Sequence, residues 1–152
     1  MGYTPVTPFR RVVDAALMER NRRLEGDLPT NGVNKWEALR EVSVARQALG
    51  LSDRDISVLQ ALISFHPQTL LGGNATDLVV HASNDAICAR LNGMPCSTMR
   101  RHLAALVTAG VIARRDSPNG KRYARHTRNG KVAYGIDLAP LALRHAEVCA
   151  LA

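Results

Sequence analysis

Residues 83–125 read SNDAICARLNGMPCSTMRRHLAALVTAGVIARRDSPNGKRYAR, and this stretch decides the fold that the sequence predicts. It begins with a helix from Ser83 to Leu91, because the Ser83 hydroxyl can accept a hydrogen bond from a free amide of the first turn. The Asn-Gly pair at 92–93 ends this helix, since glycine adopts the positive φ common at helix exits. The Met-Pro pair that follows cannot extend it. A sharp turn should therefore lead into the next helix.

The second helix of the pair carries cations on one side. We predict Ser97 as its N-cap and Gly110 as its exit, with apolar side chains between them at a spacing close to 3.6 residues. Two short helices joined by a glycine-containing turn are typical of the helix-turn-helix, whose second helix lies in the DNA major groove. The polar residues outside the apolar stripe are the candidate DNA contacts Ser97, Thr98, Arg100, Arg101 and His102. Of these, Arg100 and Arg101 are the candidate base readers.

A basic hairpin should follow the helix pair. Val111–Arg115 has strand composition, and Asp116–Gly120 is rich in turn formers. Lys121–Arg125 would form the far side, either as a strand or as part of a long loop. Cations at the hairpin could contact phosphate or the minor groove. The candidate contacts here are Arg114, Arg115, Asn119, Lys121, Arg122 and Arg125.

The excess positive charge is confined to this region. The chain has 152 residues and a formal net charge of +7. Met1–Ala82 contains nine Lys and Arg against nine Asp and Glu, whereas Ser83–Lys131 contains ten against two. A local excess of positive charge favours binding to polyanions through counterion release. It also costs free energy through self-repulsion, which a hairpin with only a structural role would have no reason to carry.

The remaining sequence supplies the rest of a winged helix-turn-helix. We predict a helix capped by Asn34 that ends at Leu49 and includes Trp36 as a packing anchor, then a helix that starts with a capping box at Ser52. Strands are predicted at Leu78–Val80 and Val132–Leu138. The predicted class is mainly α within α+β, a winged helix-turn-helix with an N-terminal helical extension. The predicted divisions are an N-terminal helix and linker at 1–33, the DNA-binding domain at 34–143, and a C-terminal helix at 144–152.

Several functions are disfavoured by what the sequence lacks. Its three cysteines, at 88, 96 and 149, form no C-x-x-C pair, so we expect free thiols, no metal and no cofactor. A thiolate of lowered pKa at Cys96, beside the second helix, is a minor hypothesis. There is no apolar run of 18 residues and no signal peptide, which favours a cytoplasmic protein without a membrane partner. We expect no enzyme, because no nucleophile triad, carboxylate pair or nucleotide loop can be picked out.

The segments GLSDRDISVLQALISFHP, ARLNGMPCSTMRRHLAALVTAGVIARRDSPNGKRYARH and GIDLAPL resemble the N-terminal domain of the RepC family. That family comprises replication initiators of low-copy repABC plasmids in bacteria. The resemblance implies sequence-specific binding of double-stranded DNA at a plasmid origin and initiation of plasmid replication. It covers most of residues 36–143, so the chain is expected to be an N-terminal piece that binds DNA without initiating. Further expected partners are a second copy or the replication machinery.

Two other functions remain as alternatives. A winged-helix transcriptional regulator would share the fold, and the N-terminal helix could then serve in dimerisation. A protein-interaction module is the other, but cations confined to the helix-turn-helix and hairpin argue against it.

Overall fold

A computed structural model of the chain describes residues 32–73, 75–117, 121–127 and 130–152. The predicted N-terminal helix and most of its linker lie outside these residues. Seven helices and two antiparallel sheets occur in the described part, which is an α+β fold. The helices are α1 (Lys35–Val44), α2 (Arg46–Leu49), α3 (Asp53–Ser64), α4 (Asn84–Arg90), α5 (Cys96–Ala109), α6 (Ala139–Leu143) and α7 (His145–Leu151). No helix among them is long and apolar enough to cross a membrane.

Local capping signals start α1, α3 and α4 as predicted, although the single helix predicted to end at Leu49 is divided at Ala45 into α1 and α2. Asn34 Oδ1 accepts hydrogen bonds from the amides of Trp36 and Glu37 at the start of α1. At α3, Ser52 Oγ accepts from the Asp55 amide at 3.1 Å, and Asp55 Oδ2 accepts from the Ser52 amide at 2.9 Å. The predicted capping box is therefore confirmed. Ser83 caps α4 in the same way, with its Oγ 3.1 Å from the Ala86 amide.

The helix pair α4 and α5 has the predicted turn between its members. Asn92 and Gly93 both have positive φ, 58° and 80°, so the chain reverses within two residues. The start of α5 differs from the prediction. Pro95 is its N-cap, since the Pro95 carbonyl accepts the first helical hydrogen bond from the Met99 amide at 2.9 Å. Ser97 thus lies inside the first turn, and its prediction as the cap was wrong.

One long strand organises the larger sheet. The strands are β1 (Val33–Asn34), β2 (Leu70–Leu71), β3 (Val79–Val80), β4 (Ala113–Arg115), β5 (Tyr123–Thr127) and β6 (Gly130–Asp137), with a 3₁₀ turn at Ala75–Leu78. The C-terminal half of β6 pairs with β3 and β4, and its N-terminal half pairs with β5. The first two strands form a separate small ladder. From α3 onward the helices and the strands β3, β4 and β6 follow the predicted order, whereas β2 was not predicted.

The basic hairpin is paired differently from the prediction. Residues 123–127 form a strand, which answers the question that the sequence left open. This strand pairs with β6 and not with β4, whose residues Arg114 and Arg115 oppose Ile136 and Gly135. The physical reason is that β6 is eight residues long, enough to pair with both shorter strands along its length.

A single apolar core joins the helices to the sheet. Its largest fully buried side chains are Leu59, Leu62, Ile63, Leu71, Leu78, Ile87, Met99, Leu103, Leu106, Ile112, Ile136 and Leu138. Trp36 is not among them, because the buried face of α1 consists of Lys35, Ala38 and Val42 and turns the indole outward. Trp36 is 42% exposed, so its prediction as a packing anchor was wrong.

The C-terminal helices pack on the same core. Val148 of α7 is buried in it, while Leu151 is 46% exposed. Buried Arg144 donates hydrogen bonds to the carbonyls of Ala109 and Gly110 at 2.9 and 2.8 Å. This guanidinium therefore satisfies carbonyls at the end of α5, which otherwise lack helical partners. The division predicted at 143/144 stays a prediction.

Candidate nucleic-acid interface

Helix α5 presents its cations because of its apolar spacing. Met99, Leu103 and Leu106 are its buried residues, so positions 97, 100 and 101 lie on the outer side. Ser97, Arg100 and Arg101 are exposed, and Thr98 is half-buried. Within the part of the chain that the structure describes, neither of the two guanidinium groups has a hydrogen bond or an ion pair. Both are therefore available to an external anion.

His102 occupies a different place from its neighbours. Its Nδ1 lies 2.6 Å from Asp55 Oδ1, and the two side chains are 17% and 8% exposed. Asp55 is also the capping-box residue of α3, so this contact connects α5 to the start of another helix. One ring nitrogen of His102 is therefore engaged inside the protein, and its role as a DNA contact stays a prediction.

Strand β4 adds two arginines beside α5. Arg114 and Arg115 are both exposed. The Nε of Arg115 donates to Asp137 Oδ2 at 2.8 Å, and Asp137 is buried. The other carboxylate oxygen of Asp137 accepts a hydrogen bond from the Ala139 amide at 2.9 Å. Arg115 is therefore partly neutralised and anchored to the sheet, a contact that no local sequence pattern predicts.

Described residues on both sides of the connection between β4 and β5 make contacts within the protein. Ser117 Oγ donates to the Lys121 carbonyl at 2.6 Å, which brings the two sides of the loop together. Arg122 donates from its guanidinium to the Ala82 carbonyl at 2.8 Å. Burial, and secondarily the charge of Arg114, lowers the pKa of Arg122, which nearby Asp116 partly offsets. The loop thus holds cations close together at an electrostatic cost.

These elements enclose one cleft of about 460 Å³ between α5 and the strands. We call it the basic cleft. Its cationic lining comprises Arg100, Arg101, Arg114, Arg115, Lys121 and Arg122, and the remaining lining comprises Asn84, Leu103, Ala104, Asp116, Ser117, Gly135 and Ile136. Six of the predicted site residues therefore meet at one place, with a single carboxylate among them. Asn119 lies outside the described residues, and for Arg125 only the backbone, within β5, is described.

The basic cleft concentrates positive potential on a concave surface. Like charges on low-dielectric walls focus the field and raise the local concentration of anions. An extended polyanion, which would release counterions on contact, suits this arrangement better than a small neutral ligand does. Sequence reasoning missed two residues that shape the cleft, Asn84 at the start of α4 and Asp137. Asp137 has no local sequence signal, because it acts through Arg115, 22 positions away, and Asn84 is known only as a lining residue.

The three cysteines, Cys88, Cys96 and Cys149, are free thiols. In the described part of the chain, no group of three or more His, Cys, Asp or Glu residues could hold a metal ion. The hypothesis of a lowered pKa at Cys96 was wrong. A side-chain hydrogen bond with Cys88, burial, and the nearby carboxylate of Asp85 raise the pKa of the Cys96 thiol to about 11.

Comparisons with known proteins identify the family. The model of the replication protein C N-terminal domain matches residues 10–152. A relative from Sinorhizobium fredii (strain NBRC 101917 / NGR234) is 44% identical over 145 residues, which cover 93% of this chain and 36% of the relative. One from Rhizobium rhizogenes is 42% identical over 149 residues, covering 96% and 36%. Both are named "Putative replication protein C".

The chain thus spans about a third of the length of these curated relatives. No solved structure matches it. Since the family model covers nearly all of the sequence, the chain belongs to the replication protein C family and corresponds to its N-terminal domain.

Proposed function

We propose that this chain binds double-stranded DNA sequence-specifically at a plasmid replication origin, as part of a replication initiator. In this proposal the described part acts as a winged helix-turn-helix, with α5 in the major groove. The observation that carries it is the basic cleft, where six cations from α5, β4 and the following loop converge. The same residues are dispersed over 23 positions of the sequence, from 100 to 122.

Base reading is assigned to the exposed arginines of α5. Arg100 and Arg101 lie in the first two turns of the helix, which is the part of a recognition helix that contacts base edges. A guanidinium can bond to O6 and N7 of guanine together. Ser97 and Thr98, in the first turn, are assigned to phosphate contacts next to the free amides of the helix start.

Phosphate contacts are assigned to the other side of the basic cleft. Arg114 and Lys121 are exposed at its rim, where a duplex backbone would pass if α5 lay in the groove. Arg115 and Arg122 have a positioning role, because Arg115 donates a hydrogen bond to Asp137 and Arg122 donates one to the Ala82 carbonyl. These two hydrogen bonds attach the ends of the β4–β5 connection to the sheet and to the residue before α4. They thereby fix the separation between α5 and the rim cations Arg114 and Lys121. Asn119 and Arg125 stay proposed contacts from the sequence.

The origin as target comes from the family and not from the geometry. Relatives named as replication protein C support a replication role, and the chain spans only part of their length. We therefore assign DNA binding to this chain and initiation to the longer protein. The proposal includes no catalytic step, no cofactor and no membrane partner.

The test is binding to duplexes tiled across the plasmid that encodes the protein, including its own gene. We expect one preferred site within the origin, with Arg101→Ala reducing affinity for that site by about 1–3 kcal/mol. Arg40→Ala is the matched control, because it removes the same charge from exposed α1 residue Arg40, away from the basic cleft. Equal affinity for every tile, or equal loss from both variants, would contradict the proposal. A single preferred site at a promoter would favour the regulator instead.

A further inference from the structure

Two cysteines meet where α4 approaches the start of α5. The Sγ atoms of Cys88 and Cys96 are 2.9 Å apart, and both cysteines are free thiols. Cys88 is buried within α4, and Cys96 is the first residue of α5 and partly exposed. Only the turn at 91–95 separates the two helices in the chain. The sulfur atoms therefore face each other across the helix-turn-helix.

We propose that Cys88 and Cys96 are a modification site, at which a small-molecule disulfide such as oxidised glutathione converts the two thiols into an intramolecular disulfide. A disulfide bond has a length of about 2.05 Å, so the two sulfur atoms must approach by roughly 0.9 Å. This inference does not depend on the proposed DNA binding.

The reaction is a pair of thiol–disulfide exchanges. The thiolate of Cys96, the more exposed sulfur, attacks one sulfur of the small disulfide, whose S–S bond breaks and releases one small thiol. The thiolate of Cys88 then attacks Cys96 Sγ and displaces the second small thiol. The two cysteines lose two electrons and two protons, and the small disulfide is reduced to two thiols.

The surroundings of Cys96 set the rate of the first step. Its thiol lies 3.5 Å from Asp85 Oδ1 and beside Cys88, and the pKa of Cys96 is raised to about 11. Because the thiolate is the nucleophile, the raised pKa slows the first exchange near neutral pH, and the exchange becomes faster as pH rises. Below the raised pKa, each pH unit should speed the first exchange about tenfold.

The consequence is a covalent tie between the helices of the pair. It would fix the start of α5 to α4 and restrict the turn that contains Asn92 and Gly93. A cross-link that constrains the unfolded chain should also raise the unfolding temperature, provided that it introduces no strain.

The test uses the full chain carrying Cys149→Ser, which removes the exposed third thiol on α7. The reduced protein is treated with excess oxidised glutathione at about pH 8 and about pH 9, remaining thiols are blocked with an alkylating reagent, and trypsin is added. Arg90 lies between the two cysteines, so trypsin separates the peptides 55–90 and 91–100 unless a disulfide joins them. We expect the joined pair, its separation by a reductant, and faster formation at the higher pH.

Two outcomes would overturn the proposal. One is a glutathione adduct that persists on peptide 91–100 while Cys88 is recovered in its alkylated form, having stayed a free thiol. The other is no reaction in the folded protein at either pH, while the denatured chain reacts. As a further check, Cys88→Ala in the same background should accumulate the adduct on Cys96. If that variant does not fold, the peptide map of the Cys149→Ser protein still distinguishes the disulfide from the adduct.

Discussion

Two regions in the described part of the chain use their cations differently. At the helix ends remote from the basic cleft, Lys35 and Arg144 are buried and bonded to backbone carbonyls. Lys35 Nζ donates to the carbonyls of Ile63 and His66, and Arg144 donates to those of Ala109 and Gly110. On α5, Arg100 and Arg101 are exposed and have no such bond among the described residues. The comparison teaches that a cation bonded to helix carbonyls is structural, whereas one left open on a concave surface is available for recognition.

The largest effect should come from Arg144. Replacing it with methionine keeps an apolar stem but leaves the carbonyls of Ala109 and Gly110 without their donors. We expect a loss of about 3 kcal/mol in the free energy of unfolding, because buried unpaired carbonyls cost about 1–3 kcal/mol each. Urea denaturation measures it.

The matched variant for Arg144 is Arg100→Met, which makes the same change on the exposed side of α5. It should alter the free energy of unfolding by less than about 0.5 kcal/mol, as surface substitutions usually do. A larger destabilisation from Arg100→Met than from Arg144→Met would remove the distinction between the two regions.

The effects of the two residues on DNA binding should be in the opposite order to their effects on stability. Arg100→Ala should weaken binding to the preferred duplex by about 2 kcal/mol and flatten the preference at one base position. Fluorescence anisotropy with the preferred duplex and its single-base variants measures this loss. Equal weakening on all duplexes would reassign Arg100 to phosphate contact.

An intermediate stability effect is expected at His102. His102→Gln removes a side chain whose Nδ1 lies 2.6 Å from the buried carboxylate of Asp55. The expected loss is about 1 kcal/mol of unfolding free energy, the typical value of a buried hydrogen bond. His145→Gln on α7 is the control and should have a smaller effect. No difference between the two variants would show that the contact with Asp55 does not stabilise the packing of α5 on α3.

The smallest change is expected at the rim of the basic cleft. Lys121→Ala should weaken binding to the preferred duplex and to random duplexes equally, by a fraction of the loss in binding free energy caused by Arg100→Ala. It should also reduce the slope of log affinity against log salt by about 0.9, since one neutralised phosphate no longer releases its counterion. Measured binding at several salt concentrations gives the slope, with Arg40→Ala as a variant of equal charge. If Lys121→Ala and Arg40→Ala change the slope equally, Lys121 makes no phosphate contact that distinguishes it from a cation outside the basic cleft.

The parts of this fold that the sequence predicts are those with local signals. The capping box at Ser52, the N-cap at Ser83 and the glycine exit at Gly110 each depend on residues within four positions, and all three are observed. The apolar stripe of α5 is equally local, and it places Arg100 and Arg101 on the outside as expected.

Apart from the start of α5, where the cap lies two positions before Ser97, the differences involve partners distant in the chain. His102 and Asp55 are 47 positions apart, and the guanidinium of Arg144 is 35 positions from Ala109. The pairing of β4 with β6 follows from the length of β6, which the turn residues at 116–120 do not reveal. Lys35 is buried in place of Trp36 because two carbonyls at the end of α3 are within its reach. Composition and periodicity carry no information on such contacts.

The most direct test of the account is an amide chemical-shift titration of the isotopically labelled chain with its preferred duplex. The largest perturbations should fall on residues 97–101 and 113–122, with the amides of α1 and α7 nearly unchanged. Perturbations concentrated on α1 and α7, with α5 and β4 unaffected, would contradict the assignment of the basic cleft as the DNA-binding surface.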